Sequence, residues 1–122
     1  MKTNIKFTGT DPDDTLRAYA ETKLDSFSKF LDKDSVENAI CYVEFRRSTK
    51  HQSGKVYTAE VTLEAEGKIY RVTKDEPSFE KAIDKVKDDI LQALRVDKGK
   101  SKYSFRKGGR MLKNMIQGGN NT

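Results

Sequence analysis

The sequence predicts an α+β fold: a two-layer β-α-β-β-β-α sandwich, with a four-stranded mixed sheet, two helices on one of its faces, and a basic C-terminal tail. Three observations predict it. Four segments alternate apolar and polar residues at the period of a strand, and two others repeat apolar residues every three or four positions. After residue 97 both patterns stop and positive charge accumulates. With 122 residues and 34% hydrophobic composition, the chain supports one modest core and not two.

Residues 2–8 alternate with Ile5 and Phe7 on one face, the mark of a strand. In TDPDD, Thr10 or Asp11 is placed to cap a helix, Pro12 suits its first position, and the acids complement the helix dipole. Leu16, Tyr19, Ala20, Leu24, Phe27, Phe30 and Leu31 then form one apolar stripe, so a first helix is expected through about residue 31. A second strand is expected over Val36–Arg47, with Ala39, Cys41, Val43 and Phe45 on one face and Ile40 and Tyr42 on the other. STKHQSGK has hairpin-loop composition, and Tyr57 to Ala65 alternates as a third strand. Glu66-Gly67-Lys68 is a turn and Ile69–Thr73 a short fourth strand. Ser78 caps a second helix whose stripe is Phe79, Ala82, Ile83, Val86, Ile90 and Leu94, and Gly99 is expected to end the regular domain. Strands with one polar face fit a mostly antiparallel sheet, closed by a parallel crossover between the first two.

Charge divides the chain. Residues 1–97 hold 17 Lys and Arg and all 19 Asp and Glu, a net of −2, whereas residues 98–122 hold 7 Lys and Arg and no acid. A cationic segment on a near-neutral body points to a polyanion partner, most simply nucleic acid. The domain division follows: a folded body over 1–97 and a basic, flexible tail over 98–122. No run approaches the roughly 20 apolar residues of a membrane span, and the polar opening MKTNIKFTGT does not read as a signal peptide, so a cytoplasmic protein is expected.

Enzyme constellations are missing. One His and one Cys cannot supply a zinc site, no phosphate-binding glycine loop is present, and the paired carboxylates Asp88 and Asp89 sit among lysines as solvated ion pairs do. No catalytic residue, metal or cofactor is expected. The informative residues are cations. Lys23 falls within the apolar arc of the first helix, where its ammonium either snorkels to water or is aimed at a phosphate from the sheet rim. Arg17, Lys29, Lys81 and Lys85 lie off the apolar stripes. Arg46, Arg47, Lys50, His51 and Lys55 cluster around the hairpin loop, and Lys98, Lys100, Lys102, Arg106, Lys107, Arg110 and Lys113 fill the tail. Residues 110–117 have the spacing of two turns of amphipathic helix.

Four stretches, taken in order, resemble one family: NIKFTGTDPDDTLRAYAETKLDSFSKFL, HQSGKVYTAEVTLEA from His51, GKIYRV from Gly67, and Ala82-Ile83-Asp84. Across roughly residues 2–98 the chain resembles the short form of the ribosome hibernation promoting factor and ribosome-associated inhibitor A family. That resemblance implies a β-α-β-β-β-α fold that sits between head and body of the small ribosomal subunit and overlaps the mRNA channel and tRNA sites. It implies RNA contacts at Arg17, Lys23 and Lys29 on the first helix and at His51, Lys55 and Arg71 around the sheet. The second helix departs from the family pattern, since Asp88-Asp89-Ile90-Leu91-Gln92-Ala93 lacks cations found there.

The expectation is a non-enzymatic translation inhibitor that binds small-subunit ribosomal RNA by electrostatic attachment. No DNA or membrane partner is expected, and the protein is expected to be monomeric off the ribosome. Two rivals remain: a protein-binding module using a strand edge or the amphipathic tail, and a general single-stranded RNA binder stacking bases on Tyr42, Tyr57 or Tyr70.

Overall fold

The computed structural model describes residues 1–50 and 54–107. Strand β1 (Lys2–Thr8) leads into helix α1 (Asp14–Leu24), a 3-10 stretch (Asp25–Phe30) and the short helix α2 (Lys33–Asn38). Strands β2 (Ile40–Lys50), β3 (Gly54–Ala65) and β4 (Lys68–Glu76) follow, and helix α3 (Phe79–Lys107) comes last. The sheet order is β1-β2-β3-β4, with β1 parallel to β2 and the other neighbours antiparallel. A parallel pair needs a long crossover, supplied here by the segment containing α1 and α2, whereas antiparallel strands need only hairpins. The expected α+β architecture is therefore present. Met1–Leu91 form one compact unit, and the chain from Gln92 onward forms a second.

Strand alternation decides which face is core. Cys41, Val43 and Phe45 of β2 and Ala59, Val61, Leu63 and Ala65 of β3 are buried, together with Leu16, Ala20 and Leu24 of α1 and Ala82, Ile83, Val86 and Ile90 of α3. α1 and α3 share that face, because the Tyr19 hydroxyl donates to Asp84 across them. Phe45 stacks on Phe7 (centroids 5.6 Å apart) and meets Phe79 edge-on at 5.2 Å, and Phe79 meets Tyr57 at 4.9 Å. Burial pushes the Cys41 thiol up to about 12, so it stays neutral and packs as a small apolar group.

Several boundaries differ from the sequence expectation. The cap of α1 is Asp13, whose carboxylate accepts from the Leu16 amide at 3.0 Å; Thr10 and Asp11 lie upstream. Asp13 is extended (φ −135°, ψ 109°), the conformation of an N-cap, and a residue after proline is free to adopt it. The first helix stops at Leu24, and the stripe through Phe27 and Leu31 is completed by the 3-10 turns. Residues 33–38 are helical, so β2 begins at Ile40 and not at Val36. β4 extends to Glu76. Gly99 does not end the regular structure: α3 continues through it to Lys107, since one glycine inside a helix costs only about 1 kcal/mol. The predicted amphipathic turns at 110–117 lie outside the described residues.

Two turns depend on backbone chemistry. Glu66 and Gly67 both have positive φ (55° and 74°), which the two-residue turn between β3 and β4 requires. Glu66 tolerates this while its carboxylate accepts from the Asp32 amide at 3.0 Å. Gly9 has φ +72°, and a Cβ there would stand 2.5 Å from the Arg47 carbonyl oxygen. Gly9→Ala should therefore destabilise the protein by about 1–3 kcal/mol from backbone strain alone, and by more once the clash forces β1 or β2 to shift. Urea unfolding checks this through a lowered midpoint at unchanged slope.

Candidate nucleic-acid interface

The helix layer brings together some of the predicted cations. In the last turn of α1, the Lys23 ammonium lies 3.6 Å from Asp84 and 5.3 Å from the centroid of the Tyr19 ring. The Tyr19 hydroxyl donates to both oxygens of Asp84, at 2.9 and 3.1 Å. Burial, and then this bond to Asp84, raise the Tyr19 phenol above its ordinary value. Lys23 is thus held at the α1–α3 seam, partly exposed and paired. Arg17 lies 5.3 Å over Phe7 and 3.9 Å from Asp14. Lys29, in the 3-10 stretch, and Lys81 are exposed. Lys81 sits in the first turn of α3, where a cation opposes the helix dipole and an anionic partner would relieve it.

One further predicted cation is already paired. Lys85 pairs with Glu76 at 3.0 Å, and the two adjacent acids of α3 are engaged too, Asp89 by Lys74 at 3.0 Å and Asp88 by Lys87 at 3.2 Å. Exposed pairs of this kind are worth about 0–1 kcal/mol, so a phosphate can compete for the cation at little cost.

The opposite face of the sheet carries a second constellation. Arg46 donates to Glu44 at 2.9 Å and to Glu60 at 3.0 Å, which removes the repulsion of two carboxylates paired directly across β2 and β3. Thr8 donates to Glu44 at 2.7 Å and Arg71 to Thr62 at 3.0 Å. The Thr8 hydroxyl first, and then Arg46, hold the Glu44 carboxyl below its ordinary range. A carboxylate depressed in the folded state contributes stability above its ordinary value, and that contribution is lost as pH falls through the depressed one.

Arg47 lies on the helix side of β2, 5.9 Å over Tyr57. Lys50 and Lys55 lie at the loop end of the β2–β3 hairpin, with Lys50 paired to Gly54 and Lys55 to Thr49 in register. His51 lies outside the described residues. In the second unit Lys98, Lys100, Lys102, Arg106 and Lys107 all fall on α3, while Arg110 and Lys113 lie outside the described residues. The sequence reading missed Asp84 as the residue that organises Lys23 and Tyr19; its one signal was a lysine inside an apolar arc. Among the described residues no three His, Cys, Asp or Glu side chains converge on a metal-sized site, and no helix is long and apolar enough to cross a membrane.

A solved structure of the N-terminal domain of Thermus thermophilus Protein Y is similar to this chain, with a TM-score of 0.65 at 20% identity over 77% of this chain and 96% of that one. A ribosomal subunit interface protein from Coxiella burnetii is similar with a TM-score of 0.63 at 15% identity, over 82% of this chain and 100% of that one. Both likenesses establish the fold. No curated protein sequence matches the chain. The family model described as Sigma 54 modulation protein / S30EA ribosomal protein matches residues 3–102, from the first strand into the cationic part of α3. With that match covering most of its length and the β-α-β-β-β-α order in place, the chain belongs to the Sigma 54 modulation protein / S30EA ribosomal protein family, the group to which the hibernation-factor resemblance pointed.

Proposed function

We propose that this protein is a ribosome hibernation factor. It binds small-subunit ribosomal RNA, occupies the mRNA and tRNA sites, and silences translation by steric occlusion without turnover. The observation that carries this reading is the family match over residues 3–102, which takes in the whole folded body. Charge supports the mode of attachment. The helix layer offers Arg17, Lys23, Lys29, Lys81 and Lys85, each exposed or held by a weak surface pair that a phosphate can replace. The β2 and β3 strands add Arg47, Lys50 and Lys55, and the sequence between the last two supplies His51. The functional division falls near residue 97: a body of net −2 that fills the site, and a segment of seven cations without an acid that attaches it.

Occlusion consumes sites and does not recycle. Added to an in vitro translation reaction, the protein should lower output in proportion to its amount and saturate near about one copy per ribosome. Inhibition complete at a small fraction of that ratio would mean a catalytic agent and would end this reading.

A further inference from the structure

We infer that the open face of the sheet is a second RNA contact, at which Tyr42 stacks on one unpaired nucleotide base. This inference rests on the proposed ribosomal RNA binding and adds a site on the face opposite the helices.

Of the three tyrosines that could serve as stacking platforms, the structure singles out one. Tyr57 is packed edge-on against Phe79, and Tyr70 is half-buried on the helix side of β4. Tyr42 is 43% exposed in a central strand, a position where an aromatic side chain is ordinarily covered. Its cross-strand neighbours are Asn4 of β1 and Thr62 of β3, both too short to cover a phenol ring, and Arg71 of β4 completes the row. The row therefore presents an amide, an aromatic ring, a hydroxyl and a guanidinium across four strands. These residues line a shallow hollow of about 420 Å³.

The charge of this face suits a nucleotide. The carboxylates beside Tyr42 are internally compensated: Thr8 and Arg46 engage the two oxygens of Glu44, while Arg46 and Arg71 flank Glu60. Arg71 stays 66% exposed with its Nε fixed on Thr62, and Lys6 is exposed on the next row. With Glu44 and Glu60 set against Lys6, Arg46 and Arg71, the surroundings of the ring carry a net single positive charge. A base can stack on the ring, Asn4 can bond its edge, and Arg71 or Lys6 can meet its phosphate. Stacking tolerates any base because each has a π-face, so the contact anchors an unpaired nucleotide without reading its identity.

The test measures affinity for small ribosomal subunits at several salt concentrations with the full chain and its Tyr42→Ala, Tyr42→Phe and Tyr42→Trp variants, each verified as folded by circular dichroism. Tyr42→Ala should bind about 5- to 100-fold more weakly with an unchanged salt slope, because no cation is lost, and the Phe and Trp variants should bind within about threefold of the parent. Ultraviolet cross-linking of the unsubstituted protein on the subunit should place a nucleotide adduct on the Tyr42 peptide. Tyr42→Ala binding like the parent, a Phe variant as weak as the Ala variant, or a cross-link to ribosomal protein in place of RNA would each overturn the inference. Failure of the parent itself to bind subunits would instead remove the reading on which it rests, and the inference with it.

Discussion

Removing residues 98–122 should flatten the slope of log affinity for small subunits against log salt by about 2 to 4 units, at roughly 0.7 to 0.9 per phosphate contact. The segment holds seven cations and no acid, and the acid-bearing body is near neutral, so under the proposed function most long-range attraction to RNA should originate there. Five of the seven cations lie on α3 between Lys98 and Lys107. A helix of that length spans about 15 Å. The truncation spares the buried side chains of α3 in the folded body, from Ala82 to Leu91, so unfolding should be little changed. A truncated protein with the parent's salt slope would show that the segment does not touch RNA, and one that unfolds would show that it holds up the fold.

Phe45→Ala should cost about 3–5 kcal/mol, the range for removing a buried phenylalanine. Phe45 is fully buried on a central strand, opposite Ala59, whose small side chain leaves room for the ring, and beside Phe7 of the parallel edge strand. Through its contacts with Phe7 and Phe79 it ties β1 and the start of α3 to the sheet, so the cavity left behind opens at a junction of three elements. Domains of this size are stable by about 5–15 kcal/mol, so the loss takes a third or more of the total in most of that range. Urea denaturation measures it. Ile69→Ala, at a side chain 67% exposed, is the control and should change stability by no more than about 0.5 kcal/mol. A Phe45 variant as mild as this control would contradict the core described above.

The element order was legible because each strand and helix carries its own period: Cys41, Val43 and Phe45 declare a strand, and Ala82, Ile83, Val86 and Ile90 a helix, from spacing alone. Ser78 was legible as a cap for the same local reason, and its hydroxyl accepts from the Lys81 amide at 3.2 Å. The helical turns at 33–38 were not legible, since KDSVEN has only one large apolar residue and so no period to read. In TDPDD several residues could cap a helix, and spacing alone did not separate Thr10 or Asp11 from Asp13, the cap observed. The cations could be counted but not sorted. Whether Lys23 or Lys85 is paired depends on Asp84 and Glu76 arriving from elsewhere in the chain, and Glu44 opposite Glu60 reads as repulsion until Arg46 is placed between them. Tyr42 stood among three equivalent tyrosines until burial separated them.

Sedimentation of the tagged protein through a sucrose gradient at low salt tests ribosome binding most directly. The protein should co-migrate with small subunits or monosomes and move to the top of the gradient as salt is raised. A signal confined to the top of the gradient at low salt, from protein that is folded and in excess of its ribosomes, would contradict the proposed function.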